Sequence, residues 1–245
     1  MKILSSILIT SFLLANSNLT GYDIIKSLED KEKPDNIKSS LTMKSFKKGK
    51  TRTSKFISWT KNNGEFQLMW FVEPRQYKGM SFLNIDNNMI MWLPAYKKIR
   101  KVASQNKKKS FMNSDLSYGD FDIRDINMYT YEKFEKNQVY DSIECYIVIS
   151  TPKNKEETNY SKHETWISTK ALSPIKEISF DKSGEAIKEK KFSYTTKDGM
   201  DILEALTVKN LQKDTYTKLY IDSIKLNTEL DKNYFKETNL KRIPK

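Results

Sequence analysis

The feature that most constrains the fold is a long succession of strand-forming segments, which starts near residue 37 and continues to residue 227. Within each segment apolar residues alternate with polar ones or run together, and turn residues such as Lys48-Gly49 and Asp198-Gly199 separate the segments. Such turns join neighbouring antiparallel strands. The pattern predicts strands at 37–47, 52–60, 64–73, 80–86, 88–93, 98–104, 128–136, 139–151, 162–169, 174–181, 187–195, 201–209 and 215–227. Closely spaced strands with short connections predict a mainly β fold with one continuous antiparallel sheet.

Helical periodicity is sustained in one place, residues 20–31. Thr20 is a suitable N-cap residue, and Pro34 follows the segment and ends it. The apolar stripe of this predicted helix consists of Ile24, Ile25 and Leu28. A further short helical turn is predicted around residues 111–117.

The N-terminus has the pattern of an export signal. Lys2 supplies the positive charge, residues 3–14 form the apolar run, and Ala15-Asn16-Ser17 supplies the small residues of a cleavage site. The run is shorter than the ~20 residues of a transmembrane helix, although an uncleaved anchor remains an alternative. We therefore expect a signal peptide at residues 1–17, one domain at residues 18–245, and export to the periplasm.

The net charge of +12 raises the question of nucleic acid as a partner. The basic residues are spread along the whole chain, and an export signal argues against that partner, so we expect none. Weak attraction to anionic lipid headgroups is a better use of the charge. Cys145 is the single cysteine and lies in a strand-like run, which predicts a small buried side chain and no internal disulfide.

The segment GEFQLMWFVEP (residues 64–74) is apolar on both faces of its predicted strand. Phe66, Leu68 and Trp70 alternate with Met69 and Phe71. A sheet with one solvated face would leave one of these sets polar, so both faces need cover here. We expect one face to be covered by curling of the sheet and the other by the helix at residues 20–31. A filled core and a hollow apolar groove both satisfy this pattern, and methionines clustered in the same third of the chain favour a groove that accepts variable shapes.

Several motifs follow one another in a recognisable order. WLP, KKIRK and SFMNSDLSYGDF lie within residues 92–121, FVEPRQYKGMSFLNI precedes them, and TWISTKALSPIKEISFDKSGEAIKEKKF and IDSIKLNTELDKNYFKETNLKR follow. In this order the chain resembles the outer-membrane lipoprotein-sorting family, the broad group around the periplasmic lipoprotein carriers. The resemblance covers most of the chain after the signal.

This resemblance implies an incomplete β-barrel with a concave apolar face, an N-terminal helix, and short helical elements that act as a lid over that face. It also implies a monomeric carrier that receives the acyl chains of lipoproteins or another lipid from an inner-membrane exporter and passes them to an outer-membrane acceptor. In the lipoprotein carriers an arginine on an early strand holds the lid; Arg52 also lies on an early strand but in a different local motif, and an exposed strand arginine is the alternative. The lipid-binding candidates, about half of which must point elsewhere because strand side chains alternate, are Trp70, Phe71, Met80, Phe82, Met91, Trp92, Phe111, Met112 and Tyr118.

Many charged residues lie between residues 97 and 125, near the last of these candidates. A basic cluster is a candidate for docking headgroups or a partner, or else forms a solvated hairpin; it consists of Lys97, Lys98, Arg100, Lys101, Lys107, Lys108 and Lys109. The acidic residues that follow lack the spacing of a calcium loop, so we expect them to balance nearby lysines instead. They are Asp115, Asp120, Asp122 and Asp125.

The sequence favours no enzyme class. His163 is the only histidine, and no nucleophile elbow, phosphate loop, dinucleotide fingerprint or zinc set accompanies it. We therefore expect neither a cofactor nor a metal. Two other functions remain open besides a lipid carrier: an envelope-stress sensor that binds a lipid or a membrane anti-sigma factor, and a secreted basic protein that binds acidic polymers.

Overall fold

The computed structural model describes residues 19–154 and 158–244, so the predicted signal peptide lies outside the described residues. Within them, fourteen antiparallel strands belong to one sheet. The strands are β1 (Asn36–Lys47), β2 (Lys50–Lys61), β3 (Phe66–Glu73), β4 (Ser81–Ile85), β5 (Asn88–Leu93), β6 (Lys98–Lys101), β7 (Tyr129–Lys133), β8 (Gln138–Tyr140), β9 (Ile143–Pro152), β10 (Lys162–Ser168), β11 (Pro174–Phe180), β12 (Ala186–Lys197), β13 (Met200–Asn210) and β14 (Thr215–Leu226).

Most strands that are neighbours in the sheet are also neighbours in the chain, and one long connection joins the two edges of the sheet. Its order is β6-β5-β4-β3-β2-β1-β14-β13-β12-β11-β10-β9-β7, with β8 paired to β9 beside β7. Strands β6 and β7 are the two edges, and residues 102–128 connect them. The predicted mainly β fold, a curved antiparallel sheet that is not closed into a barrel, is confirmed.

One predicted strand is two. Residues 139–151 were expected to form one strand, but β8 ends before Asp141 and Ser142, which have φ values of 47° and 65°. Two successive residues with positive φ make a tight hairpin turn between β8 and β9. Cys145 lies in β9 and is fully buried, as predicted.

The predicted helix is present as α1 (Gly21–Asp30), with Thr20 and Asp23 forming a capping box at its start. Gly21 lies so close to the sheet that a Cβ there would be 3.0 Å from the backbone carbon of Glu132 in β7. Ile24 is buried together with Val148 and Ile167. The helix therefore covers β7, β9 and β10, and the expectation that it covers the strand at residues 64–73 is wrong.

The two faces of the sheet can be followed through the register. One row of directly paired residues crosses the sheet on one face, from β9 to β2, and consists of Val148, Thr165, Glu177, Lys190, Val208, Thr217, Ser45 and Arg52. We call this face the inner face. Helix α1 covers its β7–β10 end through Val148, and residues 102–128, which we call the plug segment, cover its remaining part.

A different segment covers the outer face of strands β2–β5. Residues 227–244, the C-terminal segment, place Leu230, Phe235 and Leu240 over β2–β5. They form the outer cluster with Trp59, Leu68, Leu83 and Trp92. Both faces of these strands are therefore covered by non-strand segments. None of the helices within the described ranges has the length and hydropathy of a transmembrane span.

Candidate functional site

The inner face carries a continuous apolar surface over β1–β5, β13 and β14, and the plug segment occupies it. Val102, Phe111 and Leu116 of the plug segment are 4%, 0% and 3% exposed. With the strand residues they form the inner cluster of Leu41, Met43, Phe56, Met69, Phe71, Phe82, Met89, Val102, Phe111, Leu116, Val208 and Leu219. The groove predicted from the sequence is thus filled by the protein's own chain.

Phe111 is the centre of this packing. Its ring centroid lies 5.9 Å from that of Phe71 and 5.0 Å from that of Phe82, both of which belong to the sheet. Within the plug segment it lies 5.6 Å from Tyr118, edge to face, and 4.6 Å from Phe121. These are favourable separations for aromatic pairs. Removing the plug segment would expose a cleft lined by aromatic and thioether side chains.

The predicted lipid-binding residues fall on both faces. Three belong to the inner cluster and four pack against it: Phe71, Phe82, Phe111, Met80, Met91, Met112 and Tyr118. Trp70 and Trp92 lie on the outer face, in or against the outer cluster. They cannot line the same groove as the other seven. The reason is that successive side chains of a strand point to opposite faces, so Trp70 and Phe71 lie on different faces of the sheet.

Arg52 lies on the inner face. Within the described residues no hydrogen bond joins its guanidinium to the plug segment or to α1, and its lid-holding role stays a prediction. Arg52 is exposed and instead lines two cavities that also share Ser45.

Side-chain amides and backbone groups hold the plug segment in place. Gln67 and Asn84 each donate to the Phe121 carbonyl oxygen, at 3.3 and 3.1 Å. Asn87 donates to the Ile123 carbonyl oxygen at 2.8 Å and accepts from the Ile123 amide at 2.7 Å. Polar side chains of β3, β4 and the turn after β4 therefore bind one short stretch of the plug segment.

The C-terminal half of the plug segment enters an ionic cluster, which we define as Asp120, Arg124, His163, Glu177, Lys188 and Lys190. The side chains of its members are buried except for that of Arg124, which is 39% exposed. Asp120 contacts Lys188 and Lys190 of β12 at 2.6 and 2.7 Å. Arg124 forms a bidentate pair with Glu177 of β11, at 2.6 and 2.9 Å. Lys190 also lies 3.4 Å from Glu177. The cluster joins the plug segment to the half of the inner face that the apolar contacts do not reach.

The charges of this cluster stabilise one another. Burial alone would raise the pKa of Asp120, but Lys190 and Lys188 reverse this and lower it well below its ordinary value. Burial likewise opposes ionisation of Glu177, whose pKa is nevertheless lowered by Arg124 and Lys190. Burial favours the neutral form of Lys190, yet Asp120 and Glu177 raise its pKa. All three groups therefore stay ionised at neutral pH.

His163 is the neutral member of the cluster. It is fully buried, and its Nδ1 lies 2.9 Å from the hydroxyl of Ser179. Burial lowers the pKa of His163 to about 3, and the positive charge of Arg124 acts in the same direction. Within the described residues its Nε2 has no hydrogen-bond partner. Protonation would add a third cationic neighbour beside Arg124 and Lys190.

The strand residues of this cluster were not predicted from the sequence. In PIKEISF and AIKEKKF, Glu177, Lys188 and Lys190 look like ordinary solvated strand charges. Alternation along each strand could have indicated which face these charges occupy. Glu177 and Lys190 are direct cross-strand partners, and both lie on the inner face. A charge on the covered face of a strand is costly unless it is paired.

The predicted basic cluster divides into three parts. Four members, Lys97, Lys98, Arg100 and Lys101, are exposed on or beside the edge strand β6. Lys107 is half-buried and binds Asp122 at 2.7 Å and the Asn87 carbonyl oxygen. Lys108 lines the larger cavity, and Lys109 is exposed.

The acidic residues of the plug segment each have a different partner. Asp122 pairs with the nearby Lys107, as expected, but Asp120 pairs with the distant Lys188 and Lys190. Asp115 accepts hydrogen bonds from Thr215 and Thr217, and Asp125 caps a short 3-10 helix. Among the described residues, no three His, Cys, Asp or Glu side chains are grouped to hold a metal ion.

Three solved structures resemble this fold over nearly their whole length. A DUF1329 family protein from Desulfovibrio piger is 26% identical, with a TM-score of 0.84 over 90% of this chain and 97% of that one. A domain named for outer-membrane lipoprotein sorting, from Vibrio parahaemolyticus, is 22% identical, with a TM-score of 0.85 over 91% and 98%. A LolA superfamily protein from Nitrosomonas europaea is 15% identical, with a TM-score of 0.73 over 89% and 98%.

No curated protein matches the chain in sequence. A family model with the description "Uncharacterized protein" matches residues 63–242, which includes the plug segment and both edge strands. The predicted resemblance to the outer-membrane lipoprotein-sorting group is confirmed at the level of the fold. The fold is similar to that of a LolA superfamily protein, and the chain belongs to the family described as "Uncharacterized protein".

Proposed function

We propose that the protein is a periplasmic carrier that binds the acyl chains of lipoproteins or other lipids on its inner face. The observation that supports this most directly is an apolar sheet face occupied by a connecting segment of the same chain. Phe111 and Leu116 fill the place that acyl chains would take. In this proposal the plug segment leaves the inner face when cargo binds, and returns when cargo is released.

Energetics favour such an exchange over an empty groove. Each methylene buried from water contributes about 0.8 kcal/mol, so one sixteen-carbon chain contributes roughly 12 kcal/mol. Two or three such chains in an open groove would exceed the practical affinity limit of about 18–21 kcal/mol, and release would stop. Cargo taken from a membrane is already out of water. A plug segment that covers the groove between loads lowers the net binding energy further.

The proposed route runs from an inner-membrane exporter to an outer-membrane acceptor, with the protein acting as a monomer. The exposed residues Lys97, Lys98, Arg100 and Lys101 offer a basic surface for docking at the β6 edge. This edge lies directly before the plug segment in the chain. Docking there would act on the segment that must move.

A reversible lock on the plug segment tests the proposal. The backbone amide of Asp115 donates to the Thr217 hydroxyl at 2.9 Å, so these two neighbouring positions are chosen for a pair of cysteines. The lock is the variant Asp115→Cys/Thr217→Cys in a Cys145→Ala background. Binding of a tripalmitoylated peptide is measured by native mass spectrometry in the oxidised and reduced forms, with Thr217→Cys as the control.

We expect the reduced form and the control to bind the peptide, and the oxidised form to bind at least about tenfold less, a difference of about 1.4 kcal/mol. Equal binding by the locked form would mean that the plug segment does not leave. Failure of every form to bind acylated peptide or phospholipid would contradict the carrier function itself.

A further inference from the structure

A large cavity lined by many basic side chains lies at one end of the sheet, beside the apolar groove. Its volume is about 1060 Å³. The hairpin turns β1–β2, β11–β12 and β13–β14 surround it, and residues 108–117 of the plug segment form one of its walls. Neither the acyl-chain site nor the β6 edge uses this space.

The cavity is strongly basic. Its basic side chains are Lys47, Lys48, Lys50, Arg52, Lys108, Lys182, Lys188 and Lys213. Leaving aside Lys188, which pairs with Asp120, and Lys182, six basic side chains remain against the two carboxylates of Asp115 and Asp181. Both carboxylates accept hydrogen bonds from hydroxyl groups of the protein, from Thr217 and Ser183. The net positive charge therefore faces the space, where an anion would be attracted.

The remaining lining supplies neutral polar groups. They are the Tyr160 hydroxyl and the side-chain amides of Asn113, Asn159 and Asn210. The lining hydroxyls of Ser110, Ser117 and Ser183 already donate to other groups of the protein. Lysines together with hydroxyl and amide groups suit a phosphate group and the polar atoms around it. These groups do not suit acyl chains, because an acyl chain would bury them without a hydrogen-bond partner, which is costly.

The basic cavity borders the apolar groove. Leu116 lines the cavity and is also a member of the inner cluster. A second cavity of about 240 Å³ shares Ser45 and Arg52 with it and is lined by Tyr77 and Met112, which pack against the inner cluster. A molecule with an anionic head and apolar chains would meet matching surfaces on both sides of this boundary.

We infer that the basic cavity binds the phosphorylated headgroup of an acylated lipid whose chains take the place of the plug segment. The inference rests on the proposed carrier function and narrows its cargo to phosphate-bearing lipids. Neutral acylated cargo would leave the basic wall of the cavity without a counter-charge.

The test compares three probes with two charge-matched variants. The probes are dioctanoyl phosphatidic acid, dioctanoyl phosphatidylcholine and glycerol 3-phosphate. The cavity variant is Lys50→Gln/Arg52→Gln/Lys108→Gln/Lys213→Gln. The control variant, Lys136→Gln/Lys170→Gln/Lys225→Gln/Lys236→Gln, removes the same charge from exposed positions that do not line the cavity. Dissociation constants are measured by titration calorimetry on the full mature chain.

We expect the unmodified protein and the control variant to bind phosphatidic acid roughly tenfold or more tightly than phosphatidylcholine. The cavity variant should lose that preference and keep its affinity for phosphatidylcholine. Equal binding of both lipids by the unmodified protein would overturn the inference and leave the carrier function intact. Glycerol 3-phosphate binding as tightly as phosphatidic acid would identify a site for free phosphate esters and overturn it as well. No binding of either lipid would contradict the carrier function, and the inference with it.

Discussion

Strands β2–β5 are apolar on both faces, and two segments of the chain cover them in different ways. The C-terminal segment binds the outer face mainly through Leu230, Phe235 and Leu240, and the Ser81 hydroxyl donates to the Leu240 carbonyl oxygen at 2.7 Å. The plug segment binds the inner face through Phe111 and its neighbours at one end and through the ionic cluster at the other.

Under the proposed function, this difference singles out the plug segment as the cover that cargo would displace. Apolar contacts on the inner face can be replaced by acyl chains at little net cost, because one apolar surface takes the place of another. The ionic contacts respond to pH and to competing anions, whereas the outer cover offers no comparable control. We therefore treat the C-terminal segment as a permanent part of the core and the plug segment as the moving part.

The largest expected effects come from truncating one aromatic side chain under each cover. Phe111→Ala and Phe235→Ala should each lower the free energy of unfolding by about 3–5 kcal/mol, since both side chains are buried. Only Phe111→Ala should raise the affinity for acylated peptide, because it weakens the competitor for the groove. Urea unfolding and lipid titration measure the two effects, and equal changes of affinity in both variants would remove the distinction between the covers.

Breaking the ionic cluster should cost somewhat less. Glu177→Gln leaves Arg124 and Lys190 without their shared carboxylate and should lower the free energy of unfolding by about 3 kcal/mol. Glu73→Gln, which removes a solvent-exposed partner of Lys55, is the control and should cost less than about 1 kcal/mol. Similar small losses in both variants would mean that the cluster does not hold the plug segment.

His163 predicts a loss of stability in mild acid. Its pKa is about 3 in the folded protein, against an ordinary value of 6.5, so the unfolded chain takes up a proton first as the pH falls. The stability contribution is complete above pH 6.5 and should decrease by roughly 2 kcal/mol by pH 5. The variant His163→Asn should lack this slope when unfolding is followed between pH 5 and 7. An unchanged slope would contradict the neutral, buried state of His163.

The smallest expected effect is that of Arg52→Gln. Because Arg52 is exposed and makes no hydrogen bond to the described residues of the plug segment, its removal should change the free energy of unfolding by less than about 0.5 kcal/mol. Thermal unfolding measures this. A loss above 2 kcal/mol would support the lid-holding role that the family resemblance implied.

The strands could be predicted because their signals are local. Alternation and turn residues lie within a few positions of each other, and nearly every strand was found. The turn at Asp141-Ser142 was missed because neither residue is the glycine that usually marks such a turn. The segments that cover the two faces of the sheet were predicted wrongly for a different reason. Nothing local in the sequence tells whether α1 or Leu230 and Phe235 will pack on a given face.

The site was predictable only in part, for a similar reason. A run of large apolar residues identifies the region, and Phe71, Phe82 and Phe111 do meet on the inner face. Alternation separates Trp70 from Phe71, but the sequence does not state which of the two faces is the inner one. The ionic cluster was missed because Glu177 and its partners are far apart in the chain and meet only in the folded sheet.

Hydrogen–deuterium exchange of the mature protein, with and without a tripalmitoylated peptide, tests most directly whether cargo displaces the plug segment. The amides to follow are those of residues 107–121 and, for comparison, residues 230–240. Without cargo, the Phe111 amide donates to the Leu116 carbonyl oxygen at 2.7 Å and should exchange slowly. Bound cargo should speed exchange in residues 107–121 and leave residues 230–240 unchanged. Slower or unchanged exchange in residues 107–121 with cargo bound would contradict the displacement of the plug segment.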